Sequence, residues 1–513
     1  MVEAIFNLVT ARWDFFLLLL VEHLEISFLA IGIAIVFGGI AGILISEWRK
    51  SAKWTLGVIN FIYTIPSISM LGFLIPFSGV GNATAVIALT IYALLPMVRS
   101  VHTGLTNVDP AILEAARGMG STRAQILFKV SLPLALPVIM SGIRNMVTMT
   151  IALAGIASFI GAGGLGVAIY RGITTNNAAM TLAGSLLTAL LALAADFVLG
   201  IVEKRMQRRS KKAKHRNRLA RIGSLLLAVC LIGGLAVSQN RSGKTIHIAT
   251  KPMTEQYILG EMLDILIEQD TDLHVKLTQG VGGGTSNIDP GMRSGAFDLY
   301  PEYTGTAWNM VLKKTDVYSE HRFNELQSAY KDRGMTWTCL YGFENTFGLV
   351  LRKDIAERYG IRTFSDLKRY ARNLTFGAEY DFFEREDGYA ALCKAYGFRF
   401  GKTMDLDIGL KYHALAEKQV DAMIVFTTDG QLARAGAVVL TDDKHFFPSY
   451  FCGNIVRSEV LEEYPELKSV FAKLTGRIQN DDMVRMNYEV EVKGREPHAV
   501  AEEFLRSHGL VSK

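Results

Sequence analysis

Long apolar runs fill the first 240 residues of the chain, whereas short apolar and polar stretches alternate from about residue 243 onward. A hydrocarbon core about 30 Å thick requires roughly 20 apolar residues in a helix. Six segments meet or approach this length and are predicted to span a membrane: residues 27–46, 54–77, 81–98, 138–160, 180–202 and 222–238. The pattern therefore predicts an all-α membrane domain followed by a soluble domain.

Two features interrupt the apolar pattern. The segment WDFFLLLLVEHLEI (13–26) contains Glu22, His23 and Glu25, and we predict a short interfacial helix there rather than a span. Pro66 lies inside the second predicted span, where neighbouring helices must satisfy the backbone group that it frees. The N-terminus lacks a basic start followed by a small-residue cleavage site, so the first apolar segment is expected to remain in the mature protein.

The soluble part alternates strand and helix. Residues 244–251 and 272–279 predict strands on either side of an amphipathic helix at 254–269. Further strands are predicted within 295–308, 347–354, 374–382, 419–430 and 438–443, and helices near 457–475, 480–489 and 497–508. This alternation is typical of an α/β fold with parallel strands and crossover helices. Two such lobes, with the chain crossing between them, predict a ligand cleft beyond the carboxyl ends of the strands.

Charge sets the orientation of the spans. The net charge of +5 conceals a local run, residues 203–221, with ten Lys or Arg and a single Glu. The positive-inside rule places this run, residues 47–53 and the loop 99–137 in the cytoplasm. Six alternating spans then put the soluble domain outside. In this position the basic run is interpreted as an anchor beside anionic lipid, and nucleic-acid binding is not favoured. The four cysteines show no metal-ligand spacing, and we expect no metal or cofactor.

The loop 99–137 contains a predicted helix-turn-helix. Asp109 and Pro110 form a good N-cap and first turn for a helix over 110–120, which Gly118 and Gly120 end. A second short helix is predicted over 121–130, capped by Ser121 or Thr122. So small an element buries little surface by itself, so we expect it to dock onto a cytoplasmic partner.

The loop also contains a spaced pattern of one acidic residue with small and apolar residues: Glu114, Ala115, Ala116, Gly120, Leu132 and Pro133. This pattern resembles the EAA loop of ABC importer permeases, with Val130 in place of the usual Ile. The resemblance implies that the loop is a coupling helix in a groove of a separate ABC ATPase subunit, and that the membrane domain forms a homodimer in the lipid bilayer. The chain contains no G-x-x-x-x-G-K-[ST] sequence, as expected if the ATPase is separate.

A second glycine-rich motif, GAGGLG (161–166), matches the dinucleotide pattern G-x-G-x-x-G. An apolar membrane segment precedes it instead of a strand in a βαβ unit, so its context does not fit nucleotide binding. We predict close helix packing or a turn at the outer membrane face.

Tyrosines are frequent at the predicted strand ends of the soluble domain. Any one of them is as often a core residue, but several around one cleft would suit a quaternary ammonium group, which has no hydrogen to donate and binds aromatic faces with roughly 0.5–2 kcal/mol per contact. A nearby carboxylate would add charge attraction. The residues predicted to bind such a ligand are Gln256, Tyr257, Asp298, Tyr303, Thr304, Tyr341, Asn345, Tyr380, Asp381 and Thr428.

Several longer segments stand out in both halves of the chain. Those of the soluble part are TEQYILGEM, DLYPEYTGT, YGFENTFGL, GAEYDFFEREDGY and FTTDGQLA, and those of the membrane part are TIPSISMLGFLIPFSGVG and ASFIGAGGLG. The first group resembles the solute-binding domains of importers of glycine betaine, carnitine and choline, and the second group resembles their membrane subunit. The resemblance implies a MetI-like permease domain at 1–203 with a coupling loop at 110–133. A basic linker and an extra transmembrane helix follow at 204–242. Residues 243–513 then form an extracytoplasmic, two-lobed domain with a periplasmic-binding-protein fold.

The expected function is uptake of a quaternary ammonium compound, namely choline, glycine betaine or carnitine, across the plasma membrane by a permease with its own tethered receptor. Ergothioneine, which carries a trimethylammonium, a carboxylate and a thione-imidazole ring, is the alternative ligand. A ligand-sensing membrane receptor is a more distant alternative, because the cytoplasmic loops contain no output domain. The histidines are scattered and no catalytic grouping stands out, so we expect a transporter subunit and not an enzyme.

Overall fold

The computed structural model describes residues 2–175, 177–209, 244–385, 387–447 and 449–511. These residues fall into two compact units. One contains the chain up to Ile169 and its helical continuation from Leu182, and the other contains Gly243–Lys513 together with Tyr170–Thr181. The sixth predicted span, residues 222–238, lies outside the described residues.

The first 209 residues are helical. A π-helical turn, Leu127–Ser131, joins α7 to α8, and a 3₁₀ turn, Gly155–Ile160, follows α8. The helices are α1 (Val2–Ala11), α2 (Trp13–Glu47), α3 (Arg49–Thr64), α4 (Ser67–Ser78), α5 (Asn82–Thr106), α6 (Pro110–Gly118), α7 (Arg123–Ile126), α8 (Leu132–Ala154), α9 (Gly166–Thr174) and α10 (Ala178–Arg209).

Helix α2 is longer than predicted. Residues 13–26 are continuous with the first predicted span in one helix of 35 residues, so the prediction of a separate interfacial helix was wrong. Two of the three polar side chains that interrupt the apolar pattern, Glu22 and His23, have hydrogen-bond partners in the protein. The Glu22 carboxylate accepts a hydrogen bond from the Gly164 N–H at 3.1 Å, and the His23 ring lies 2.9 Å from the Ile151 carbonyl oxygen. Buried polar groups with such partners are tolerated inside a membrane helix.

The second predicted span is bent rather than straight. Helices α3 and α4 meet at 96° around Pro66. The Ile62 carbonyl, which a proline at position 66 leaves without its helical donor, accepts from the Ile65 N–H at 3.2 Å, so the chain's own turn satisfies it and not a neighbouring helix. The hydroxyl of Tyr92 in α5 donates to the next exposed carbonyl at the bend, that of Ile65. Among the described residues, four helices are long and apolar enough to cross a membrane, or five if the bent pair counts as one span: Trp13–Glu47, Asn82–Thr106, Arg123–Ile160 and Ala178–Lys204.

The GAGGLG segment packs closely, as predicted. Gly161 has a positive φ of 72°, and Gly164 one of 101°. A Cβ atom on Gly163 would overlap the Glu22 carboxylate, and one on Gly166 would overlap the Gly155 carbonyl oxygen. The glycines therefore allow the turn after α8 to lie directly against α2 and its own preceding turn.

Gly166→Ala is expected to lower the thermal unfolding midpoint of the full chain in detergent, because the new methyl group meets backbone that cannot move aside. Overpacking of this kind costs about 1–3 kcal/mol. Gly155→Ala is the matched control, since a Cβ there meets nothing within 4 Å. Equal midpoints for the two variants in a scanning fluorimetry measurement would contradict the packing described here.

The second unit contains two five-stranded sheets, with strand orders β2-β1-β3-β10-β4 and β7-β6-β8-β5-β9. The strands are β1 (Thr245–Ala249), β2 (His274–Thr278), β3 (Leu299–Tyr303), β4 (Met335–Glu344), β5 (Phe347–Arg352), β6 (Thr375–Ala378), β7 (Lys402–Asp405), β8 (Ala422–Phe426), β9 (Ala437–Val439) and β10 (Phe451–Arg457).

Helices cover these sheets and form two lobes. Lobe 1 is built on the first sheet and lobe 2 on the second. The helices are α11 (Thr254–Asp270), α12 (Thr285–Arg293), α13 (Thr304–Thr306), α14 (Phe323–Lys331), α15 (Lys353–Tyr359), α16 (Phe364–Leu367), α17 (Tyr380–Glu384), α18 (Tyr389–Tyr396), α19 (Lys411–Ala416), α20 (Ser458–Glu463), α21 (Leu467–Ala472), α22 (Asn480–Glu491) and α23 (Pro497–Ser507).

The sheets are mixed rather than parallel. Strand β1 runs parallel to β2 and β3, but β10 runs antiparallel to β3 and β4, and β5 runs antiparallel to β8 and β9. The prediction of parallel strands was therefore only partly right, and β4, β7 and β10 were missed. The chain leaves lobe 1 after β4 and returns to it with β10. This double crossing confirms the predicted two-lobed arrangement with a cleft.

Each lobe has its own core. Helix α11 is buried along most of its length against the first sheet, which makes it the central helix of lobe 1. The core of lobe 2 is rich in aromatic rings around Phe347, Phe376 and Phe382. Cys339, Cys393 and Cys452 are free thiols. The cleft between the lobes is thus flanked by two independently packed units.

Candidate functional site

A buried carboxylate lies where the two lobes meet. Glu255 is in the first turn of α11, directly after β1, and is only 3% exposed. The Tyr303 hydroxyl at the end of β3 donates a hydrogen bond to it. Asn345 donates from the crossover at 2.9 Å, and Thr428 donates from lobe 2 at 2.6 Å. Glu255 therefore joins lobe 1, the crossover and lobe 2 in one hydrogen-bonded cluster.

The environment of Glu255 opposes its charge. Burial raises the pKa of the carboxyl group, and this effect outweighs the hydrogen bonds from Thr428, Tyr303 and Asn345, which lower it. A bound cation beside Glu255 would favour the ionised form. The cluster is thus suited to respond to a positively charged ligand.

A buried lysine occupies the facing side of the cleft. The Lys411 ammonium nitrogen lies 2.8 Å from Asp429 and 3.1 Å from Glu379, and 4.4 Å from the centroid of the Phe426 ring. Burial lowers the pKa of Lys411, but the two carboxylates outweigh burial and raise it overall. Lys411 is therefore a fixed positive charge held over an aromatic face.

The space between these groups is small. A cavity of about 20 Å³ lies among residues that include Glu255, Lys411, Tyr412 and Glu491. A volume of this size holds about one water molecule. The described arrangement is consequently a closed one, in which the polar groups of the two lobes contact each other, and a ligand of several heavy atoms requires the lobes to separate.

Internal cations cover several of the aromatic faces. The Lys251 ammonium lies 4.7 Å from the Tyr303 ring centroid and is paired with the Glu302 carboxylate. The Arg385 guanidinium lies 5.9 Å from the Tyr450 ring centroid. A quaternary ammonium ligand would have to share or displace these contacts.

The predicted ligand-binding residues divide into two groups. Tyr303, Asn345 and Thr428 bond directly to Glu255, and the side-chain amide of Gln256 donates to the Tyr303 hydroxyl at 3.1 Å. These four residues lie together at the cleft. Glu255, the residue that unites them, was not predicted.

The other predicted residues lie elsewhere. Asp298 accepts a hydrogen bond from the His247 N–H at 2.8 Å at the start of β3, and Tyr341 donates to Asn454 inside lobe 1. Tyr257 and Thr304 are fully buried, whereas Tyr380 is 63% exposed and Asp381 is exposed beside it. The structure therefore does not gather the tyrosines into one cage.

Sequence reasoning missed several residues that line the cleft. Glu255, Lys411 and Tyr412 lie on helices, and Phe426 ends β8. One signal was present for Glu255, which is a carboxylate in the first turn of the helix that follows the first predicted strand. Nothing local marked Lys411, because its partners Asp429 and Glu379 are distant in sequence.

The membrane unit carries the loop with the EAA pattern. Helix α6 begins at Pro110, capped by the Asp109 carboxylate, which accepts from the Ala111 N–H at 2.9 Å. Thr122 and Gln125 form a capping box at the start of α7. Both predicted helix starts are confirmed. Between the helices Gly120 has a φ of 80°.

The residues of the EAA pattern differ in their exposure to solvent. Glu114 and Ala115 are exposed on α6, Ala116 is buried, and Leu132 with Pro133 begins α8. Large apolar side chains are also exposed here: Met119 is 80% and Phe128 is 64% exposed. The loop thus exposes the Glu114 carboxylate together with the apolar side chains of Met119 and Phe128.

Comparison with known proteins identifies the family. Residues 244–507 match the substrate-binding domain of the ABC-type glycine betaine transport system, and residues 34–208 match the inner membrane component of binding-protein-dependent transport systems. The chain is 41% identical over 490 residues to the ergothioneine transport permease/ergothioneine binding protein EgtU of Helicobacter pylori (strain G27), a match that covers 93% of this chain and 88% of that protein. The chain belongs to the ABC importer family, as a permease fused to its substrate-binding domain.

Other relatives of this fused importer match one half each. The carnitine transport binding protein OpuCC of Listeria monocytogenes serotype 1/2a (strain 10403S) is 36% identical over 289 residues, which cover 56% of the importer and 92% of OpuCC. The glycine betaine/carnitine/choline permease OpuCD of Bacillus subtilis (strain 168) is 41% identical over 192 residues, 37% of the importer and 84% of OpuCD. A solved glycine betaine/carnitine/choline ABC transporter structure has 35% identity and a TM-score of 0.44, covering 52% of the importer and 99% of that chain.

These findings confirm the predicted family and fold class. The importer combines a helical permease region with an α/β binding domain of two sheets. Its apolar helices make it a membrane protein. Its relatives are components of transporters, not enzymes.

Proposed function

We propose that this chain is the permease and binding subunit of an ATP-driven importer for a zwitterionic trimethylammonium compound, with ergothioneine as the first candidate. The observation that carries the proposal is the similarity to EgtU through both halves of a single polypeptide. The carnitine binding protein OpuCC matches the binding half, and the glycine betaine/carnitine/choline permease OpuCD matches the permease half. Carnitine and glycine betaine are the second candidates, and choline the third.

The chemistry of the cleft supports a ligand with both charges. Glu255 and Glu491 supply carboxylates for a trimethylammonium group, and Lys411 supplies a cation for a carboxylate. Asn345 and Thr428 are neutral donors that now bond to Glu255 and become available when the lobes separate. Choline lacks the carboxylate that would pair with Lys411. A thione-imidazole ring would use the remaining donors.

We propose that Gln256, Tyr303, Asn345 and Thr428 contact the ligand together with Glu255. The aromatic contribution would come from Tyr303 and from the rings of Tyr412 and Phe426 that flank Lys411. This differs from a cage of tyrosines alone, because each ring faces a charged side chain. Ligand binding would replace part of an internal ion-pair and cation–π network with equivalent contacts to the ligand.

The transport cycle follows from the two units. We propose that the binding domain is extracytoplasmic, closes around the ligand and delivers it to the permease. If the bent pair α3–α4 counts as one span, residues 47–53, the turn 107–122 and the start of the basic run after Lys204 follow the first, third and fifth spans, and we infer from the positive-inside rule that all three are cytoplasmic. A separate ABC ATPase would dock on the loop 110–133 of a homodimeric membrane domain. Tethering keeps the receptor at high effective concentration beside its permease.

The experiment that tests the ligand assignment is calorimetric titration of the binding domain, residues 243–513, with ergothioneine, glycine betaine, carnitine and choline. OpuCC shows that a homologous domain exists as a separate protein, since the match covers 92% of its length. We expect ergothioneine to bind tightest. Tighter binding of carnitine or glycine betaine would transfer the assignment to the second candidates, and absence of binding by all four would overturn the proposal.

Ligand binding is expected to tighten as the pH rises from about 6 to about 9. Burial, together with the nearby Asp429 carboxylate, raises the pKa of Glu491 to about 8, and burial also raises that of Glu255. A carboxyl group with a raised pKa is partly protonated near pH 7 and must ionise to pair with a trimethylammonium group. Binding should therefore release protons, which calorimetry in buffers of different ionisation enthalpy measures with glycine betaine or carnitine.

The stability of the unliganded domain should change in the opposite direction. Because the folded pKa of Glu491 lies above its unfolded value, the stabilising contribution is complete below the unfolded pKa and is lost as the pH rises through about 8. Glu491→Gln should reduce both the proton release and this loss of stability. Affinity that does not change with pH would contradict the role given to these carboxylates.

A further inference from the structure

A large basic groove lies in lobe 2 and shares no lining residue with the ligand cleft. It has a volume of about 1150 Å³ and is open to solvent. Its walls come from the end of α15, the turn through α16 to Tyr370, and the end of α18 with the segment to Arg399. Neither the coupling loop nor ligand binding makes use of it.

The groove is lined by unneutralised positive charge. Five of its residues are exposed cations, and none of them forms an ion pair with any residue that the structure describes: Lys368, Arg369, Arg372, Lys394 and Arg399. The single carboxylate in the lining, Asp366, accepts hydrogen bonds from the N–H groups of Arg362 at 3.1 Å and Thr363 at 2.9 Å. These bonds lower the pKa of Asp366 and hold it in its own helix cap. It is directed to the backbone instead of the cations.

This cluster is an exception within its domain. Residues 244–513 contain 33 Lys and Arg against 40 Asp and Glu, a net charge of −7. Surfaces that serve only solubility intersperse both signs, because like charges held together repel each other. Five adjacent cations in an acidic domain therefore point to an anionic partner.

The form of the groove indicates an extended anionic surface. Its cations are exposed on long side chains, so a single small anion would stay largely hydrated, whereas a charged surface contacts all of them at once. Tyr359, at the rim, is 42% exposed and stacks on Tyr370 with ring centroids 4.6 Å apart. Exposed tyrosines are favoured at the headgroup level of membranes.

The bilayer is the extended anionic surface within reach of this domain, because the same polypeptide contains the membrane helices. We propose that the groove of lobe 2 binds the phosphate-bearing headgroups of an anionic lipid bilayer. Basic residues near such a surface each contribute attraction that salt screens. Headgroup binding would retain the domain at the membrane in addition to its covalent tether.

The test is hydrogen–deuterium exchange of the full chain in lipid nanodiscs. In nanodiscs that contain phosphatidylglycerol, the backbone amides of peptides 358–373 and 391–400 should exchange at least about threefold more slowly than in nanodiscs of phosphatidylcholine alone. The triple variant Arg369→Gln/Arg372→Gln/Arg399→Gln should lose this protection. A matched variant, Lys331→Gln/Lys468→Gln/Arg477→Gln, removes three exposed cations outside the groove and should keep it.

The same measurement distinguishes the alternatives. Unchanged exchange in the core strands β5 and β8 verifies that each variant is folded. Equal exchange in the two kinds of nanodisc would overturn the proposal. Equal protection in phosphatidylcholine nanodiscs on addition of inorganic phosphate would also overturn it, because the groove would then be a site for a free anion.

Discussion

Glu255→Gln is expected to lower the affinity of the binding domain for the proposed trimethylammonium ligand by about 100-fold. The variant keeps the size of the side chain and one oxygen to accept from Thr428 or Asn345, but removes the charge that attracts the cation. Loss of one member of a buried charge pair typically costs about 2–5 kcal/mol in binding. Calorimetric titration with ergothioneine or carnitine measures the change directly.

The same substitution should leave the unliganded domain at least as stable as the parent. Burial disfavours the charge of Glu255, as its raised pKa indicates, so a neutral side chain of the same shape removes an unfavourable term. Asp289→Asn is the matched control: Asp289 is 5% exposed in lobe 1 and pairs with Arg293 outside the cleft. Burial raises the pKa of Asp289 as well, so Asp289→Asn should likewise keep the domain stable, and it should leave the affinity for the ligand unchanged. Equal affinity of the Glu255→Gln variant and the parent would remove Glu255 from the ligand site.

Gly120→Ala is expected to reduce ligand uptake about 5–30-fold while leaving ligand binding unchanged. Gly120 has a φ of 80°, where an L side chain costs about 1–2 kcal/mol. The residue forms the turn between α6 and α7, so the strain falls on the geometry that presents Glu114 to the proposed ATPase. Uptake by cells and titration of the same variant separate transport from binding.

Gly118→Ala is the control for this prediction. Gly118 lies two residues earlier, at the end of α6, and is not one of the glycines with a positive φ. A Cβ atom at this position meets nothing within 4 Å. Its uptake should stay near that of the parent. If both variants transport normally, the backbone conformation at Gly120 does not matter for coupling.

The elements that local chemistry determines were predictable from the sequence. The Asp109–Pro110 pair and Thr122 specify the starts of α6 and α7 through contacts within three residues, and the structure has both caps. The strand and helix pattern of β1, α11 and β2 was likewise predicted, because it follows from the alternation of apolar residues over short distances.

Features that depend on distant partners were not predictable. Glu22 and His23 interrupt an apolar run, and only the turn that contains Gly164 and Leu165, more than 140 residues away, makes them compatible with one long helix. Strand β10 pairs antiparallel between β3 and β4 because the chain returns from lobe 2, which no local pattern indicates.

The proposed ligand site shows the same limit. Tyr303, Asn345 and Thr428 were selected as residues at strand ends, but the carboxylate that they share was not, since its three partners come from three separate segments. The aromatic argument overlooked that internal cations such as Lys251 and Lys411 cover the rings. Composition reveals that tyrosines are present, whereas only tertiary structure reveals which faces are free.

The central claim is that the chain imports a zwitterionic trimethylammonium compound, with ergothioneine first. Its most direct test is uptake of labelled ergothioneine by the native host, which supplies the ATPase, with the chain deleted and then restored. We expect accumulation that requires the chain, is competed more strongly by unlabelled ergothioneine than by choline, and is lost in the Glu255→Gln variant. Equal accumulation with and without the chain would contradict the account.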